Sequence, residues 1–264
     1  MRRNPMTRLA VLATAVAATF LTAAPPLAFG DRPSYLVDSK PMDLYAAPTS
    51  YAFSNPVENV YRFEVRKDDF GWPGDSKNGK RRSELVSRGD QYRAGETLWT
   101  AFSFVVGPAH SPFDGGSEQN FIHQWHSVDI DENRAPVMRV ELNHGNLEIR
   151  TQSDGSDKSI VRYRAVRPKD GVVHNLVISG LLGQRGHIAA WLDGAEIVNT
   201  DAPIGYYNDD DGERALAYPQ WGIYQSNVKA PAVIYDANLT WGTAELSDLI
   251  TAPTPVPTPP GGWV

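Results

Sequence analysis

The stretch Asn120-Phe121-Ile122-His123-Gln124-Trp125-His126 alternates apolar and polar residues and follows the pair Gly115-Gly116. This pattern predicts a β-strand, whose successive side chains point to opposite faces of the sheet. The core face would then hold Phe121, His123 and Trp125, and the other face would hold Asn120, Ile122, Gln124 and His126. An amide and an imidazole therefore stand side by side on one face, which is the best indication of chemistry in the sequence.

Short runs of the same kind recur along the chain, and none shows helical periodicity over three turns. Asn143–Asn146 and Asp193-Gly194 are typical hairpin turns, and residues 31–57 are expected to be irregular. The pattern predicts an all-β, two-sheet β-sandwich, a β-jelly roll of the concanavalin A-like kind. The predicted strands are 60–66, 81–87, 98–106, 120–126, 137–142, 147–151, 160–164, 174–179, 187–192, 195–198, 218–224 and 232–241.

Residues 1–30 have the pattern of a secretory signal peptide. Arg2, Arg3 and Arg8 precede the Ala-rich apolar run 9–24, and Ala28-Phe29-Gly30 is a small-x-small cleavage site. We therefore expect a secreted, extracellular protein without a membrane span; an N-terminal membrane anchor is the alternative. Residues 31–250 would form the jelly-roll domain, and the Pro/Thr-rich residues 251–264 would form a disordered tail.

The composition limits the partners and the kinds of site. The 264 residues include no cysteine, which excludes disulfides and thiolate metal sites. Removal of residues 1–30 leaves 22 basic and 31 acidic residues. This acidic balance argues against nucleic-acid binding, and a polyanionic ligand would need a local basic cleft. We expect a monomer.

Three predicted strands each carry polar residues on one face. Arg82 and Glu84 share a face of the first strand, and Gln124 and His126 share a face of the second. The third strand has Gly222, which would leave space for a ligand, among residues of one face: Tyr218, Gln220 and Tyr224. If the three strands are neighbours in the sheet, these side chains form one surface.

Each of these residues also has a simpler interpretation. Arg82 and Glu84 could be an exposed ion pair, His126 an ordinary strand histidine, and Tyr224 a core tyrosine with its hydroxyl satisfied. The co-occurrence of all three motifs in a fixed order favours a functional site. His123 has the opposite parity to Gln124, so we predict a structural role for it.

The motifs Arg82-Ser83-Glu84-Leu85, Gln124-Trp125-His126 and Tyr218-x-x-x-Gly222-Ile223-Tyr224 together resemble those of jelly-roll polysaccharide lyases. Alginate lyases carry R-[ST]-E-L, Q-[IV]-H and Y-F-K-x-G-x-Y. The Q-W-H form and the chain length are closer to the glucuronan lyases (polysaccharide lyase family 20) and the heparin lyase I-like group. The resemblance covers residues 60–242.

The resemblance implies β-elimination at a uronate, and it implies a role in that reaction for the motif side chains. Gln124 and Arg82 would neutralise the substrate carboxylate, so that removal of the C5 proton does not create a dianion. His126 and Tyr224 would be the base and the acid. For glucuronate or mannuronate, Tyr224 could take both parts; for guluronate or iduronate, His126 would be the base.

One position departs from the family pattern, because Gln220 stands where the family has lysine. Arg139, Arg150 or Lys80 could supply the missing cation, and its loss disfavours a sulfated substrate such as heparin. We expect substrate contacts from these residues: Glu84, Lys80, Tyr218, Gln220, Arg139 and Trp72. Trp72 could instead cover the core, and the basic residues could be a solvated loop.

The resemblance to glucuronan lyases also implies a structural Ca²⁺, and no organic cofactor is expected. Calcium requires clustered oxygen ligands. The acidic runs 129–132 and 209–211 are the richest candidates, and Asp236 is a weaker one. No ligand is assigned, because acidic loops are more often solvated.

Other carbohydrate-active or structural sandwiches remain as alternatives. A glycoside hydrolase would need two carboxylates across a cleft, and the Glu-x-Asp-x-x-Glu strand signature of such enzymes is absent. A carbohydrate-binding module has no reason to keep arginine, glutamine, histidine and tyrosine on one face. The sequence therefore predicts a secreted, endo-glucuronan lyase-like enzyme acting on an acidic polysaccharide, with alginate as the second candidate substrate.

Overall fold

The computed structural model describes residues 33–87, 89–108, 120–127, 134–154, 158–206, 215–226 and 231–263. Two single-turn helices, α1 (Asp75–Asn78) and α2 (Asp248–Thr251), accompany the strands. The strands are β1 (Ser34–Val37), β2 (Lys40–Ala46), β3 (Phe53–Val57), β4 (Val60–Val65), β5 (Lys80–Val86), β6 (Tyr92–Arg93), β7 (Thr97–Val106), β8 (Asn120–His126), β9 (Met138–Asn143), β10 (Asn146–Thr151), β11 (Ile160–Val166), β12 (Val173–Leu181), β13 (His187–Leu192), β14 (Ala195–Asp201), β15 (Ala215–Ser226) and β16 (Ala232–Gly242).

The strands form two antiparallel sheets packed face to face. The first sheet has the order β1-β2-β5-β15-β8-β9-β10-β11, with β6 paired to β15, and the second has the order β14-β13-β12-β7-β16-β4-β3. Both sheets combine hairpins of consecutive strands with pairs that are distant in the sequence, such as β5-β15 and β7-β16, as in a jelly roll. The predicted all-β, two-sheet jelly-roll sandwich is confirmed.

The core fills the space between the sheets with one face of each strand. Trp125 and Trp221 of the first sheet meet Phe63 and Phe104 of the second, and all four side chains are fully buried. Burial of each large apolar side chain contributes about 1.5–3 kcal/mol. This packing fixes β8 and β15 against the second sheet and leaves their other faces for polar residues.

The three strands that carry the motifs are neighbours, as the sequence argument required. Strand β15 lies between β5 and β8. Its Tyr224 is opposite Arg82 of β5, and its Gln220 is opposite Gln124 of β8. Residues directly opposite on paired strands share a face, so the motif side chains lie on one surface.

The predicted faces of Phe121 and Ile122 are wrong. Both β8 and β15 change register here, between Phe121 and His123 in β8 and between Trp221 and Tyr224 in β15. Such a bulge interrupts the strict alternation of side chains. Ile122 consequently joins the core, while the Phe121 ring lies on the other face, 5.5 Å from the ring of Tyr224.

Residues 31–57, which the sequence predicts to be irregular, contain strands β1, β2 and β3. The prolines in this region obscure the strand pattern. Pro56 lies in β3, an edge strand of the second sheet, where a missing N–H is tolerated. Pro41 pairs with β1 and precedes the part of β2 that pairs with β5.

The C-terminal segment is packed rather than disordered, in contrast to the prediction. On the outer face of the second sheet an apolar strip consists of Val60, Val105, Val233, Tyr235 and Ala237, and Val256 and Trp263 pack against it. The Trp263 ring lies 5.0 Å from that of Tyr235, and Asn238 Nδ2 donates to the Thr254 carbonyl at 2.9 Å. The tail is ordered because it buries this strip.

The predicted signal peptide, residues 1–30, lies outside the described residues. Within the described part of the chain, no helix is long and apolar enough to cross a membrane.

Candidate active site

The side chains singled out by the sequence lie on the face of the first sheet that is turned away from the core. We call this surface the polar face. Its members on β5, β8, β9 and β15 are Arg82, Glu84, Gln124, His126, Arg139, Tyr218, Gln220 and Tyr224. Strand pairing alone brings these eight residues together from distant parts of the sequence.

Gln124 is hydrogen-bonded to two neighbours on the polar face. Its Nε2 donates to Glu84 Oε1 at 2.5 Å and to Gln220 Oε1 at 3.1 Å. All three side chains are at most 3% exposed. The three side chains therefore form one buried hydrogen-bonded cluster, and the substrate contacts expected of Glu84 and Gln220 stay a prediction.

Arg82 is fixed by a carboxylate that the sequence argument missed. Asp75, buried at the start of α1, accepts from Arg82 Nε at 2.8 Å and from Arg82 Nη2 at 2.7 Å. The guanidinium also lies 3.7 Å from Glu84 Oε2 and 4.7 Å from the centroid of the Tyr224 ring. The only sequence signal for Asp75 is its position shortly before the R-S-E-L motif, and that signal is weak.

Tyr224 is clamped between a cation and an aromatic ring. Arg82 covers one side, and the Phe121 ring is stacked at 5.5 Å. Burial raises the pKa of Tyr224 to about 12, although the nearby Arg82 acts in the opposite direction. The phenol therefore carries its proton at neutral pH and is suited to donate it.

His126 lies one step farther along β8, opposite Tyr218, with the two ring centroids 5.4 Å apart. Its Nδ1 lies 2.9 Å from the Ser127 carbonyl oxygen. Because a carbonyl only accepts, Nδ1 carries the hydrogen, and in the neutral ring Nε2 carries the lone pair. His126 is partly exposed and can accept a proton through this atom.

Lys80 and Trp72 border the polar face. Lys80 Nζ is 5.8 Å from the centroid of the Tyr224 ring, at the end of β5. The half-exposed Trp72 ring packs 5.3 Å from Tyr45, whose strand position is opposite Glu84. Lys80 is thus close to the proposed acid, whereas Trp72 lies beyond Glu84 on the side of β2.

Arg139 extends the polar face onto β9, directly opposite Gln124. Its guanidinium lies 5.0 Å from the Phe121 ring centroid and contacts Glu141 and Ser159. An ion-pair network, which no sequence pattern predicted, continues from there across β10 and β11. It is formed by Glu141, Glu148, Arg150 and Arg164. These arginines have acidic partners, so their positive charge is largely balanced.

Gly222 has a different function from the one predicted. Its φ of 113° favours glycine, and a Cβ there would lie 2.3 Å from the Ser83 carbonyl oxygen and 2.8 Å from the Phe63 ring. The space is therefore needed on the core side and not for a ligand.

The described residues do not fit a calcium site. Asp236, the weak candidate, is fully buried between the sheets, and burial raises its pKa well above the usual range. The described part of the chain contains no cluster of three or more His, Cys, Asp or Glu side chains that could hold a metal. Calcium needs six to eight oxygen ligands. The runs 129–132 and 209–211 lie outside the described residues.

His123 lies in the core, on the opposite side of β8 from Gln124. Its Nδ1 is 2.7 Å from the Gln220 carbonyl oxygen, and its Nε2 is 3.2 Å from Thr100 Oγ1 of the second sheet. Burial lowers the pKa of His123 to about 3, so the ring is neutral. These contacts agree with the predicted structural role.

Comparison with known proteins gives one family and one fold. The model of the polysaccharide lyase family matches residues 50–239. No curated protein sequence matches the chain. Family 7 alginate lyase A1-II′ is similar in structure at a TM-score of 0.55 and 17% identity, covering 74% of this chain and 85% of that one.

Two further structures are similar at lower sequence identity. The endo-β-1,4-glucuronan lyase of the fungus Trichoderma reesei has a TM-score of 0.54 and 15% identity, covering 80% of this chain and 90% of that one. The alginate lyase AlyA1 of Zobellia galactanivorans has a TM-score of 0.50 and 14% identity, covering 74% and 82%. These likenesses establish the fold.

Proposed function

Because this chain belongs to the polysaccharide lyase family, we propose that it cleaves a 1,4-linked polyuronate by β-elimination, with glucuronan as the preferred polymer. The products would be chains that end in an unsaturated uronate. The observation that carries this proposal is the juxtaposition of Arg82, Gln124, His126 and Tyr224 on the polar face, through the neighbouring strands β5, β15 and β8.

The chemistry requires three functions, and the polar face has a group for each. A donor must stabilise the uronate carboxylate as the C5 proton leaves, which suits Gln124 with the cation of Arg139 opposite it. A base must remove the proton, and an acid must protonate O4 of the leaving sugar. We assign the acid to Tyr224, because its phenol is protonated at neutral pH and is more acidic than the alcohol formed when O4 is protonated.

Arg82 would act mainly on Tyr224. Its guanidinium is already held by Asp75 and lies over the phenol ring, where it favours the phenolate formed after proton donation. His126 would be the base for substrates whose H5 and O4 lie on opposite sides of the ring. Where both lie on one side, as in glucuronate, Tyr224 would serve as base and acid in turn, after first giving up its own proton.

The charge balance of the polar face supports a polymer with a single carboxylate per sugar. Arg82, Arg139 and Arg150 are each paired with buried carboxylates, and Gln220 is uncharged. A sulfated polymer needs more uncompensated cations. The similar structures support glucuronan and alginate equally, and the Q-W-H form of the second motif and the chain length favour glucuronan.

Ultraviolet absorbance of the conjugated C4–C5 double bond tests the proposal directly. Purified protein would be mixed with glucuronan, alginate, heparin and a neutral β-glucan. We expect a rise with glucuronan and a smaller or no rise with alginate; the reverse order would make the protein an alginate lyase. New reducing ends without a rise in absorbance would contradict elimination and indicate hydrolysis.

Secretion and calcium binding are further parts of the proposal. The pattern of residues 1–30 supports secretion, and sequencing the N-terminus of the mature protein would locate the cleavage site. Calcium binding rests on the family resemblance alone, and metal analysis of the purified protein tests it.

A further inference from the structure

Glu84 is a carboxyl group buried beneath the centre of the polar face. It is 2% exposed, and its Oε1 accepts from Gln124 Nε2 at 2.5 Å. Its other oxygen, Oε2, is buried without a hydrogen-bond partner and lies 3.7 Å from the Arg82 guanidinium. A buried carboxylate with one unsatisfied oxygen is unfavourable, so this group has a reason to take up a proton.

The charged and titratable groups around Glu84 come from four elements. Arg82 on its own strand favours the charged form, but Asp75 at α1 binds that same guanidinium and opposes it. Tyr224 of β15 and Tyr45 of β2 are the other titratable neighbours. Burial outweighs Arg82 and raises the pKa of Glu84 to about 7.

The hydrogen bonds of Gln124 leave neither amide hydrogen for a substrate carboxylate. Both amide hydrogens are directed to Glu84 and Gln220. An amide is planar with oxygen and nitrogen on opposite sides of its carbon, so Oε1 is turned away from Glu84. An acceptor oxygen repels a carboxylate, and the amide must reverse before Gln124 can stabilise one.

We propose that Glu84 is the positioning residue of the polar face and takes up one proton when the substrate carboxylate binds, which reverses the amide of Gln124. Protonated Glu84 donates to Gln124 Oε1, Gln124 Nε2 turns to the substrate, and the Gln220 amide reverses as well so that its Nε2 donates to Gln124 Oε1. The proton comes from solvent, and no other bond is made or broken. The inference rests on the proposed function, since it requires a uronate at this face.

The arriving carboxylate itself would drive the change. A second negative charge close to Glu84 disfavours the ionised form still further. Gln220 matters here, because it is uncharged and offers this buried cluster no positive partner. Proton uptake by Glu84 removes the excess negative charge instead.

Calorimetry of oligouronate binding in buffers of different ionisation enthalpy counts the protons. The Tyr224→Phe variant would be titrated with tetrasaccharides of glucuronan and of alginate at about pH 8, where free Glu84 is mostly ionised. We expect about one proton more taken up per bound tetrasaccharide than in Tyr224→Phe combined with Glu84→Gln. Equal proton counts in the two would overturn the proposal.

Affinity provides a second readout in the same variants. With Glu84 present, the rise in Kd above pH 7 should be steeper by about tenfold per pH unit than with Glu84→Gln. His126 contributes equally to both proteins, so the difference isolates Glu84. Equal slopes would overturn the proposal.

Glu141→Gln is the matched control. Glu141 is a buried carboxylate on the same face with a raised pKa, but it pairs with Arg139 and Arg150 and not with Gln124. Proton uptake should persist in this variant, and its loss would contradict a specific role for Glu84. If neither tetrasaccharide binds and no polymer gives unsaturated product, the proposed function itself is wrong, and the role of Glu84 with it.

Discussion

The two outer faces of the sandwich have the same position relative to the core but opposite chemistry. On the first sheet, the polar face buries Glu84, Gln124 and Gln220 in mutual hydrogen bonds. On the second sheet, the strip around Tyr235 is apolar and is covered by Trp263 of the chain's own tail. The apolar strip stabilises the fold because the tail covers it, whereas the polar face retains buried polar groups that are unfavourable for stability.

In a sandwich of this kind, the face that keeps buried polar groups is the better candidate for the functional site. Replacing buried polar groups by apolar ones is often neutral or stabilising, so a face that keeps them has another reason to do so. Substitutions on the polar face should therefore change activity, and substitutions on the apolar strip should change stability only.

Removing the Tyr224 hydroxyl should separate the two faces most clearly. Tyr224→Phe should lower the rate of double-bond formation by about 10²–10⁴-fold, because the proton donor to O4 is lost. The matched change Tyr235→Phe on the second sheet should leave the rate unchanged. Initial rates by ultraviolet absorbance measure both, and similar rates for the two variants would remove Tyr224 from the mechanism.

The polar face should cost stability as the pH rises. The pKa of Glu84 is raised from 4.5 to about 7 on folding, so its protonated form stabilises the fold below pH 4.5, and this contribution is lost as the pH passes 7. Chemical denaturation should show wild type losing on the order of 3 kcal/mol over this range relative to Glu84→Gln. A constant difference between the two proteins would contradict the raised pKa.

The tail should contribute to stability and not to catalysis. Trp263→Ala should lower the free energy of unfolding by about 2 kcal/mol, because the indole covers Tyr235 and the apolar strip. The rate of double-bond formation should stay at the wild-type value. Denaturant titration measures the first quantity, and an unchanged midpoint would mean that the packed tail adds nothing.

Arg139 and Arg164 distinguish positions within the polar face. Arg139→Gln should raise KM about tenfold, because it removes the cation opposite Gln124. Arg164, which is paired with Glu148 and is 56% exposed, should tolerate the same substitution with little change. Kinetics at several salt concentrations compare the two, and equal effects would indicate a diffuse electrostatic contribution only.

Much of the architecture could be predicted from local pattern. The bounds of β8 and β13 agree with the predicted strands, and the turns at His144-Gly145 and Asp193-Gly194 have the positive φ angles of tight hairpins. The parity of His123 placed it on the core side correctly. Where a strand is regular, period-two alternation is enough to assign faces.

The errors arose where local pattern and tertiary packing diverge. A bulge places Phe121 and Ile122 on the faces opposite to those predicted. The proline-containing segment β3 is a strand because it pairs at the edge of its sheet, where proline is tolerated. The proline-rich tail became ordered because an apolar strip lies beneath it. None of these outcomes depends on the residues of the segment alone.

Local sequence was enough to predict the sandwich, the strands that carry the motifs and the faces of the regular strands, because alternation is a property of the local backbone; the bulge in β8 is the exception. Only the tertiary structure decided that β5, β15 and β8 are neighbours, that Asp75 holds Arg82, and that Glu84 lies beneath Gln124. Strand order and burial depend on contacts between distant segments, and these set which polar group is exposed and which titrates.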